Sequence, residues 1–355
     1  CAMGGMQVAH CPNPKLLVGD MTTIRPTFLV GVPRIFEKIF NASQQKAHAA
    51  SSTKGRIFER AAKVAIEYGR ATHDSGPSPW LKVQHALFDR LVYSKIRTAM
   101  GGNLRYAITG GASLGERLGF FFAGMGLTVM EGYGLTETTA SGTFNRAENP
   151  RIGSVGQPMP GTAVRIADDG EIWLRGPHVM AGYHNNPTAT DDAITADGLF
   201  QTGDLGDVDA DGFLHITGRK KEIIVTAGGK NVAPAVLEDR MQAHNLIGPT
   251  MVVGDGQPFI AAIITLDPDA LAAWATSGKA STSVTDLHDD PDLVAEIQAA
   301  VDDANAAVSR AESIRTWRLL DAEFTEETGY LTPTQKLKRS VVAKDYREEI
   351  AGIYA

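Results

Sequence analysis

The sequence predicts an α/β protein in which a mainly parallel sheet is followed by smaller, mixed structure. Up to about Pro150, short apolar strands alternate with helical segments, an order that is typical of a parallel sheet with helices on its faces. After Pro150, short strands lie between Gly, Pro and Asp turns, which indicates a small antiparallel sheet or barrel. With 355 residues, of which 43% are apolar, the chain is long enough for two hydrophobic cores.

The first region is predicted from apolar runs rich in β-branched and aromatic residues and from apolar residues at helical spacing. The predicted strands are 27–32, 104–108 and 127–130, and the predicted helices lie between 34 and 73 with a break at 49–52, at 81–99 and at 115–123.

The pattern changes again near Gly218, where a compact mixture of strands and helices begins. Between Pro150 and this point, the predicted strands of the small antiparallel sheet are 163–166, 171–174 and 212–216. After it, the predicted strands are 223–225, 251–253 and 260–266, and the predicted helices are 234–243 and 291–308. A domain of residues 1–218 and a second, α+β domain of residues 219–355 are therefore expected.

Charge and hydropathy exclude several classes of protein. Lys and Arg total 34 against 41 Asp and Glu, and the formal net charge of −7 provides no overall basic field for nucleic acid. No run approaches the roughly 18 apolar residues of a membrane-spanning helix, and no basic and then apolar signal segment opens the chain. A cytoplasmic location is expected, and any phosphate site must be local.

A glycine-rich turn at residues 109–113 directly follows a predicted strand. Gly110, Gly111 and Ala112 are small, so backbone groups can approach a flat or anionic ligand closely. Ligands of open α/β sheets usually lie at the carboxyl ends of strands. The alternative is a tight strand-to-helix turn with Ser113 as the helix cap.

A second turn at residues 131–139 follows the next predicted strand. Tyr133 can stack on a base, Thr136 can donate a hydrogen bond to a phosphate, and Glu137 can hold Mg²⁺ through oxygen. The alternative is a helix start capped by Thr138 or Thr139.

Residues 133–139 resemble the signature of the adenylate-forming superfamily, which includes acyl-CoA synthetases, non-ribosomal peptide adenylation domains and firefly-type luciferases. Other matches follow in the family's order: Gly110-Gly111-Ala112 resembles its adenine-binding turn, Thr202-Gly203-Asp204 its ribose motif, Gly218-Arg219-Lys220-Lys221-Glu222 its hinge, and Pro333-Thr334-Gln335-Lys336 its late catalytic lysine. The resemblance implies the adenylate-forming fold, with a small, mobile C-terminal domain.

The resemblance implies roles for the matching residues. It implies ATP or AMP binding by Gly110, Gly111, Ala112, Tyr133, Gly134, Thr136, Asp204, Arg219 and Lys336, and catalysis by Lys336, Thr136 and Glu137, with Glu137 holding Mg²⁺. Lys221 occupies the hinge position, and Gly228 and Gly229 leave room for the pantetheine arm of coenzyme A. Without the resemblance, Arg219 and the two lysines after it are also compatible with a solvated charge run.

The sequence around Lys336 favours the long-chain fatty acyl branch. Many members have Gly before this lysine, whereas this chain has Gln335 in a Thr-Pro-Thr-x-Lys-Leu-Lys-Arg form that ends in a basic strip with Lys338 and Arg339. The implied activity is that of an acid–thiol ligase that converts ATP, a long-chain fatty acid and coenzyme A to acyl-CoA, AMP and pyrophosphate. The alternatives are an adenylating enzyme with a carrier-protein acceptor, and a non-catalytic nucleotide-binding module.

The family's phosphate-binding loop is not found between Cys1 and Thr109. The chain is therefore expected to be a C-terminal fragment with a partial large domain and exposed sheet edges, inactive or poorly folded alone. Peripheral contact with the inner face of the membrane is compatible with an apolar substrate, although no amphipathic anchor stands out in the sequence.

Overall fold

A computed structural model describes residues 5–11, 16–275, 283–332 and 334–355. Its internal contacts divide the chain into two compact units. The first unit comprises Cys1–Ala163, Arg175–His184 and Val208–His215, and the second comprises Val164–Leu174, Asn185–Asp207 and Ile216–Ala355.

The first unit contains six helices and a five-stranded sheet among its described residues. The helices are α1 (Leu17–Ile24), α2 (Pro33–Ala50), α3 (Ser52–His73), α4 (Pro79–Phe88), α5 (Ser94–Ala99) and α6 (Glu116–Gly124). The strands are β1 (Phe28–Gly31), β2 (Tyr106–Gly110), β3 (Thr128–Tyr133), β4 (Thr143–Phe144) and β5 (Gln157–Pro158).

The sheet of the first unit has the strand order β1-β2-β3-β4-β5. The first three strands are parallel, and β4 and β5 are short and antiparallel. Gly110 at the end of β2 lies opposite Gly132 near the end of β3. The parallel part of the sheet is confirmed, and its register places the two turns that follow β2 and β3 side by side.

The core of the first unit lies where α2, α3 and α6 pack around aromatic side chains. The rings of Phe40 and Phe121 meet edge to face with their centroids 4.8 Å apart, a favoured aromatic geometry. Helices α3 and α6 approach so closely that a Cβ on Gly69 or Gly124 would overlap the backbone of the other helix. Small residues at these two positions therefore permit the contact.

Three details of the first unit differ from the sequence expectations. The predicted helix 81–99 is interrupted by a π-helical turn, Asp89–Tyr93, between α4 and α5. Strand β3 continues to Tyr133, so the predicted turn at 131–139 begins inside the sheet. Ser113 does not cap α6: the cap position is Gly115, and the Ser113 hydroxyl accepts the Gly115 N–H instead, at 3.2 Å.

The second unit holds most of a four-stranded sheet of order β6-β7-β8-β9, a β10–β11 hairpin and a three-stranded sheet of order β12-β13-β14. The strands are β6 (Ala163–Ile166), β7 (Glu171–Arg175), β8 (Phe200–Val208), β9 (Leu214–Arg219), β10 (Ile224–Val225), β11 (Asn231–Val232), β12 (Ile247–Val253), β13 (Ile260–Leu266) and β14 (Ile314–Leu319). The helices are α7 (Pro187–Ala193), α8 (Pro234–Gln242), α9 (Pro268–Ala275), α10 (Val284–Leu287), α11 (Pro291–Asn305), α12 (Arg339–Asp345) and α13 (Arg347–Ala351).

Strand β13 lies between two hydrophobic clusters, and all of its residues are buried. Ile260 and Ile264 belong to the cluster that includes Leu237 of α8 and residues of α11. Ile263, which points to the opposite face, belongs to a second cluster with Leu331. The predicted strand 260–266 is confirmed, whereas its parallel partner β14 was not predicted. Within the described ranges, no helix has the length and hydropathy needed to cross a bilayer.

Candidate functional site

The turn after β2 is built from small residues with an open surface. A Cβ on Gly110 would lie 3.1 Å from the carbonyl oxygen of Gly132, so the strand ends are close together. Gly111 has φ +85°, in the left-handed region that favours glycine, and the space around it is open. Gly111 and Ala112 are both exposed. The backbone of this turn is therefore accessible, and ligand binding by it stays a prediction.

A buried carboxyl group holds this turn in place. The Leu114 N–H donates a hydrogen bond of 3.0 Å to Oε2 of Glu131, whose side chain is on β3 and only 6% exposed. Burial raises the pKa of the Glu131 carboxyl to about 7, and the Leu114 hydrogen bond partly opposes this shift. Sequence reasoning gave Glu131 no role. The available signal was an acidic residue inside an apolar strand.

The turn after β3 requires glycine at position 134. A Cβ there would lie 2.5 Å from the Ala140 carbonyl carbon and 2.6 Å from the Ser141 nitrogen, where no side chain fits. A single 3₁₀ turn, Thr136–Thr138, follows, and the Thr138 hydroxyl accepts the Leu135 N–H at 2.9 Å. The alternative of a helix start capped by Thr138 or Thr139 is therefore wrong: Thr138 is the last residue of the 3₁₀ turn, whose N-terminal cap position is Leu135, and no α-helix begins there. Thr136 is exposed beside it.

Glu137 is positioned by a segment that is distant in sequence. Tyr183 donates its hydroxyl to Oε1 of Glu137 at 2.9 Å, and the Met180 N–H donates to the Glu137 backbone oxygen at 2.7 Å. Burial, followed by the hydrogen bond to Glu137, raises the pKa of Tyr183 above its usual value. Sequence reasoning missed Tyr183 because this contact joins residues 46 positions apart.

Glu137 presents a single carboxylate to a metal ion. Among the described residues, no group of three or more His, Cys, Asp or Glu side chains is placed to hold a metal. One carboxylate is a suitable protein ligand for Mg²⁺ that otherwise binds phosphate oxygens and water. The donor type therefore fits the predicted ion.

In the second unit, the structure brings Asp204 and Arg219 together. Nε of Arg219 lies 3.4 Å from Oδ1 of Asp204, whose side chain is 13% exposed. Asp204 lies on β8, and the Thr202 hydroxyl accepts its N–H at 3.1 Å. The arrangement presents a carboxylate and a guanidinium in one place, which suits the hydroxyl and phosphate oxygens of a nucleotide.

The buried carboxylate of Glu171 contacts the chain neighbours of Asp204 and Arg219. Glu171 accepts the N–H of Gly203 at 2.8 Å and lies 3.2 Å from Nζ of Lys220, which also binds Asp169 at 2.6 Å. Gly203 has φ +73°, so strand β8 has, directly before Asp204, a backbone conformation that favours glycine. Lys220 is half exposed and forms both ion pairs, and the contacts of Glu171 were not predicted.

The predicted hinge and coenzyme A residues lie on exposed turns. Lys221 is exposed in a 3₁₀ turn, Lys220–Glu222. Gly228 and Gly229 form the tip of the β10–β11 hairpin, where the Gly229 N–H donates to the Thr226 oxygen at 2.8 Å. Asn231, which follows this tip, lies on β11, and α8 begins later, at Pro234.

Lys336 extends from a tight loop that is closed by a bridge between Leu331 and Leu337. The Thr332 N–H donates to the Lys336 oxygen at 2.8 Å, and the Lys336 N–H donates to the Thr332 hydroxyl at 3.0 Å. Gln335 has φ +64°, which explains physically why glycine is suited to this position. The Lys336 side chain is exposed. Pro333 of the predicted motif lies outside the described residues.

A buried ion pair fixes the chain three residues after Lys336. Nη1 of Arg339 lies 2.6 and 2.8 Å from the two carboxylate oxygens of Glu238 on α8. The Val252 N–H donates to Glu238 at 2.6 Å, and its carbonyl accepts Nη2 of Arg339 at 2.7 Å. The basic strip predicted around Lys336 is therefore not uniformly solvated, since Arg339 anchors the segment to α8 and β12.

Comparison with known proteins agrees with this arrangement of motifs. The model of the AMP-binding enzyme family matches residues 1–184, and that of the AMP-binding enzyme C-terminal domain matches residues 221–355. The chain is 55% identical over 349 residues to the long-chain-fatty-acid–CoA ligase FadD15 of Mycobacterium bovis, covering 98% of this chain and 58% of that protein. A putative fatty-acid–CoA ligase, fadD11, of Mycobacterium tuberculosis is 34% identical over 362 residues, covering 99% and 62%.

A solved structure shares the fold at low sequence identity. The A domain of carboxylic acid reductase from Segniliparus rugosus, in complex with AMP and a co-purified carboxylic acid, superposes with a TM-score of 0.69 at 20% identity, covering 98% of this chain and 50% of that one. The chain spans about 60% of the length of the two curated relatives. Because the family model matches more than half of the chain, the protein belongs to the AMP-binding enzyme family.

Proposed function

We propose that the full-length protein carrying this chain is an AMP-forming long-chain fatty acid–CoA ligase. The observation that carries the proposal is the set of five motifs of the adenylate-forming family, in order, on a chain 55% identical to a long-chain-fatty-acid–CoA ligase. The exposed Gly111 turn and the Asp204–Arg219 pair have the geometry that a nucleotide site requires, which supports the same assignment.

In the proposed reaction, a carboxylate oxygen of the fatty acid attacks the α-phosphorus of ATP and pyrophosphate leaves. The thiol of coenzyme A then attacks the acyl-adenylate carbonyl, and AMP leaves. Lys336 stabilises negative charge as the acyl-adenylate forms, the role that the family resemblance implies for it, and its side chain is exposed and available for this contact.

The nucleotide is assigned to two sets of residues. Gly110, Gly111, Ala112, Tyr133, Gly134 and Thr136 form the first set, and Asp204 and Arg219, which receive the ribose and phosphate oxygens, form the second. Glu137 would hold Mg²⁺, which supplies charge neutralisation at the phosphates. Tyr183 orients the Glu137 carboxylate through its hydroxyl.

The remaining assignments concern domain movement and the second substrate. We assign residues 1–218 to the large domain and 219–355 to a small mobile domain, with Lys221 at the hinge. The turn with Gly228 and Gly229 would receive the pantetheine arm, because a Cβ on Gly228 would meet nothing closer than 3.9 Å. We also propose a cytoplasmic location, where ATP and coenzyme A are both supplied.

The test is pyrophosphate release by the full-length protein with ATP, palmitate and Mg²⁺, with and without coenzyme A. Lys336→Ala should lower the rate of pyrophosphate release about 10²- to 10³-fold, as expected for loss of one preorganised charge donor. Lys338→Ala, at an exposed neighbouring position, is the matched control and should leave the rate unchanged.

Two outcomes would contradict the ligase assignment. Pyrophosphate release without any acyl-CoA product would favour a carrier-protein acceptor, and absence of ATP binding would favour a non-catalytic nucleotide-binding module.

A further inference from the structure

The outer side of α4 and of the π turn that follows it carries an apolar stripe. Trp80, Val83, Leu87 and Leu91 are 69%, 60%, 56% and 43% exposed. Their spacing of three or four residues places them on one side of the helix, and we call these four side chains the α4 face. An exposed apolar surface of this kind marks an interaction site more often than a single exposed leucine does.

A neighbouring side of the same segment supplies the contacts that hold it in the first unit. Phe88 and Val92 pack against the core, and the buried Tyr93 donates its hydroxyl to the Ala61 carbonyl at 2.7 Å. A surface helix normally has one apolar stripe, which faces the core, and polar residues elsewhere. The α4 face is therefore not explained by the packing of the first unit.

The π turn keeps the stripe continuous. Asp89–Tyr93 is a single π-helical turn, wider than an α-helical turn, and in both geometries residues four apart lie on the same side of the helix. Leu91 consequently stays on the side of Leu87 and does not rotate away from it.

The segment that carries the α4 face has an excess of positively charged residues. Between Pro79 and Ala99 the chain has four cations, Lys82, Arg90, Lys95 and Arg97, and one anion, Asp89, which gives a formal charge of +3 (four minus one) in a chain whose net charge is −7. Asp89 is held by Arg97 at 2.7 Å, and Lys82, Arg90 and Lys95 are exposed. The segment thus combines an apolar face with a basic border.

We propose that the α4 face docks on an anionic lipid surface. Tryptophan and leucine on one side with Lys and Arg beside them is the composition of helices that lie in the bilayer interface, and Trp is enriched at that depth. Protein–protein interfaces are depleted in Lys, so a protein occupant fits the basic border less well. The proposal goes beyond the ligase assignment and does not depend on it, because it concerns only this helix.

The experiment is co-sedimentation of the full-length protein, without ATP, with phosphatidylcholine vesicles that contain or lack phosphatidylglycerol. The wild type should bind the anionic vesicles preferentially. Trp80→Ser combined with Leu87→Ser should weaken this binding at least about tenfold, because two large apolar side chains lose their burial in lipid. Lys82→Glu should weaken it at least about fivefold, the contribution expected of one cation at an anionic surface.

Matched controls lie in the second unit. Val236→Ser removes an exposed apolar side chain and Lys344→Glu reverses an exposed charge, and neither should change vesicle binding. Circular dichroism melting curves check that all variants are folded, which is expected because every substituted side chain is exposed.

The fluorescence of Trp80 shows whether lipid or another part of the protein covers the α4 face. Its fluorescence, taken as the difference between the wild type and Trp80→Phe, should be quenched by acrylamide in the absence of vesicles and should shift to the blue when anionic vesicles are added. Shielding of Trp80 in the vesicle-free protein would show that another part of the protein covers the face and would overturn the proposal. The proposal would also be overturned if the wild type bound vesicles with and without phosphatidylglycerol equally, or if the double variant bound anionic vesicles as well as the wild type does.

Discussion

In the first unit, two motif glycines are fixed by close backbone packing, whereas in the second unit the motif residues lie beside side-chain ion pairs. At the strand ends of the first unit, Gly110 and Gly134 are fixed because a Cβ would meet other backbone atoms. In the second unit, Lys336 is followed by Arg339, which is locked to Glu238. The same family signature thus rests on two different physical constraints.

This difference between the two units predicts which kinds of amino-acid substitution each unit tolerates. In the first unit, Gly110 and Gly134 lie against other backbone atoms, so adding a side chain at these positions is harmful. In the second, the supporting groups lie far away in sequence, as with Glu238 and Arg339, which are 101 residues apart. There, removing one partner is harmful because it leaves a buried charge without its counter-charge.

The largest effect is expected from breaking the Glu238–Arg339 pair. Arg339→Ala should lower the free energy of unfolding of the full-length protein by about 3–5 kcal/mol, the usual cost of leaving a buried charge without its partner. Lys338→Ala, one residue earlier and exposed, should change it by less than about 0.5 kcal/mol. Urea unfolding measures both. Equal, small losses in the two variants would mean that the pair contributes no more than surface charges do.

Glu131 should make the first unit sensitive to pH. Its pKa is about 7 in the folded protein against 4.5 for an unperturbed carboxyl, so the folded state binds this proton more tightly. The resulting stabilisation is fully present below about pH 4.5, falls as the pH rises, and is lost above about pH 7. At about 1.4 kcal/mol per pKa unit, the shift corresponds to roughly 3 kcal/mol.

Glu131→Gln is the matched variant, because its amide oxygen still accepts the Leu114 N–H. The free energy of unfolding of this variant, minus that of the wild type, should rise by roughly 3 kcal/mol between pH 5 and pH 8. A difference that does not vary with pH would show that Glu131 titrates normally.

Alanine substitutions at two glycines compare the two units directly. Gly134→Ala should lower the free energy of unfolding by about 1–3 kcal/mol, since its Cβ has no space. Gly228→Ala should change it by less than about 0.5 kcal/mol, because the nearest atom to its Cβ is 3.9 Å away. Thermal or urea unfolding of both variants tests the comparison, which fails if the two losses are alike.

The smallest effect is expected at Gln335. Its φ of +64° strains a residue with a Cβ, so Gln335→Gly should relieve about 1 kcal/mol, partly offset by the greater freedom of glycine in the unfolded chain. A net gain of zero to about 1 kcal/mol in the free energy of unfolding is expected. The neighbouring Thr334→Gly serves as the control and should only lose stability. A clear loss at Gln335 would show that its side chain makes a stabilising contact.

The sequence was sufficient for the parallel sheet and for most helices because their apolar periodicity is local. The segment 260–266, for example, is an apolar run and forms a strand of those bounds. The turn residues Gly110 and Gly134 could also be predicted, because they belong to family motifs with close backbone approaches that only glycine permits.

The supporting groups were not predictable because each pairing joins distant parts of the chain. Glu171 and Gly203 are 32 residues apart, and Tyr183 and Glu137 are 46 apart. Arg339 looked like one more member of a basic strip, since nothing in its neighbours indicates that Glu238 is buried beside it. A lone acidic residue in an apolar strand, as at Glu131, is the one local signal that was available.

The double burial of β13 has a consequence for the synthesis of the chain. Its sequence, Ile-Ala-Ala-Ile-Ile-Thr-Leu, has no charge and a high β propensity, which is the composition of segments that form intermolecular cross-β structure. Its parallel partner β14 begins only at Ile314, so β13 leaves the ribosome well before that edge is covered. Asp267 and Pro268, immediately after it, act as gatekeepers against self-association. Truncated chains that end before Ile314 should therefore collect in the insoluble fraction.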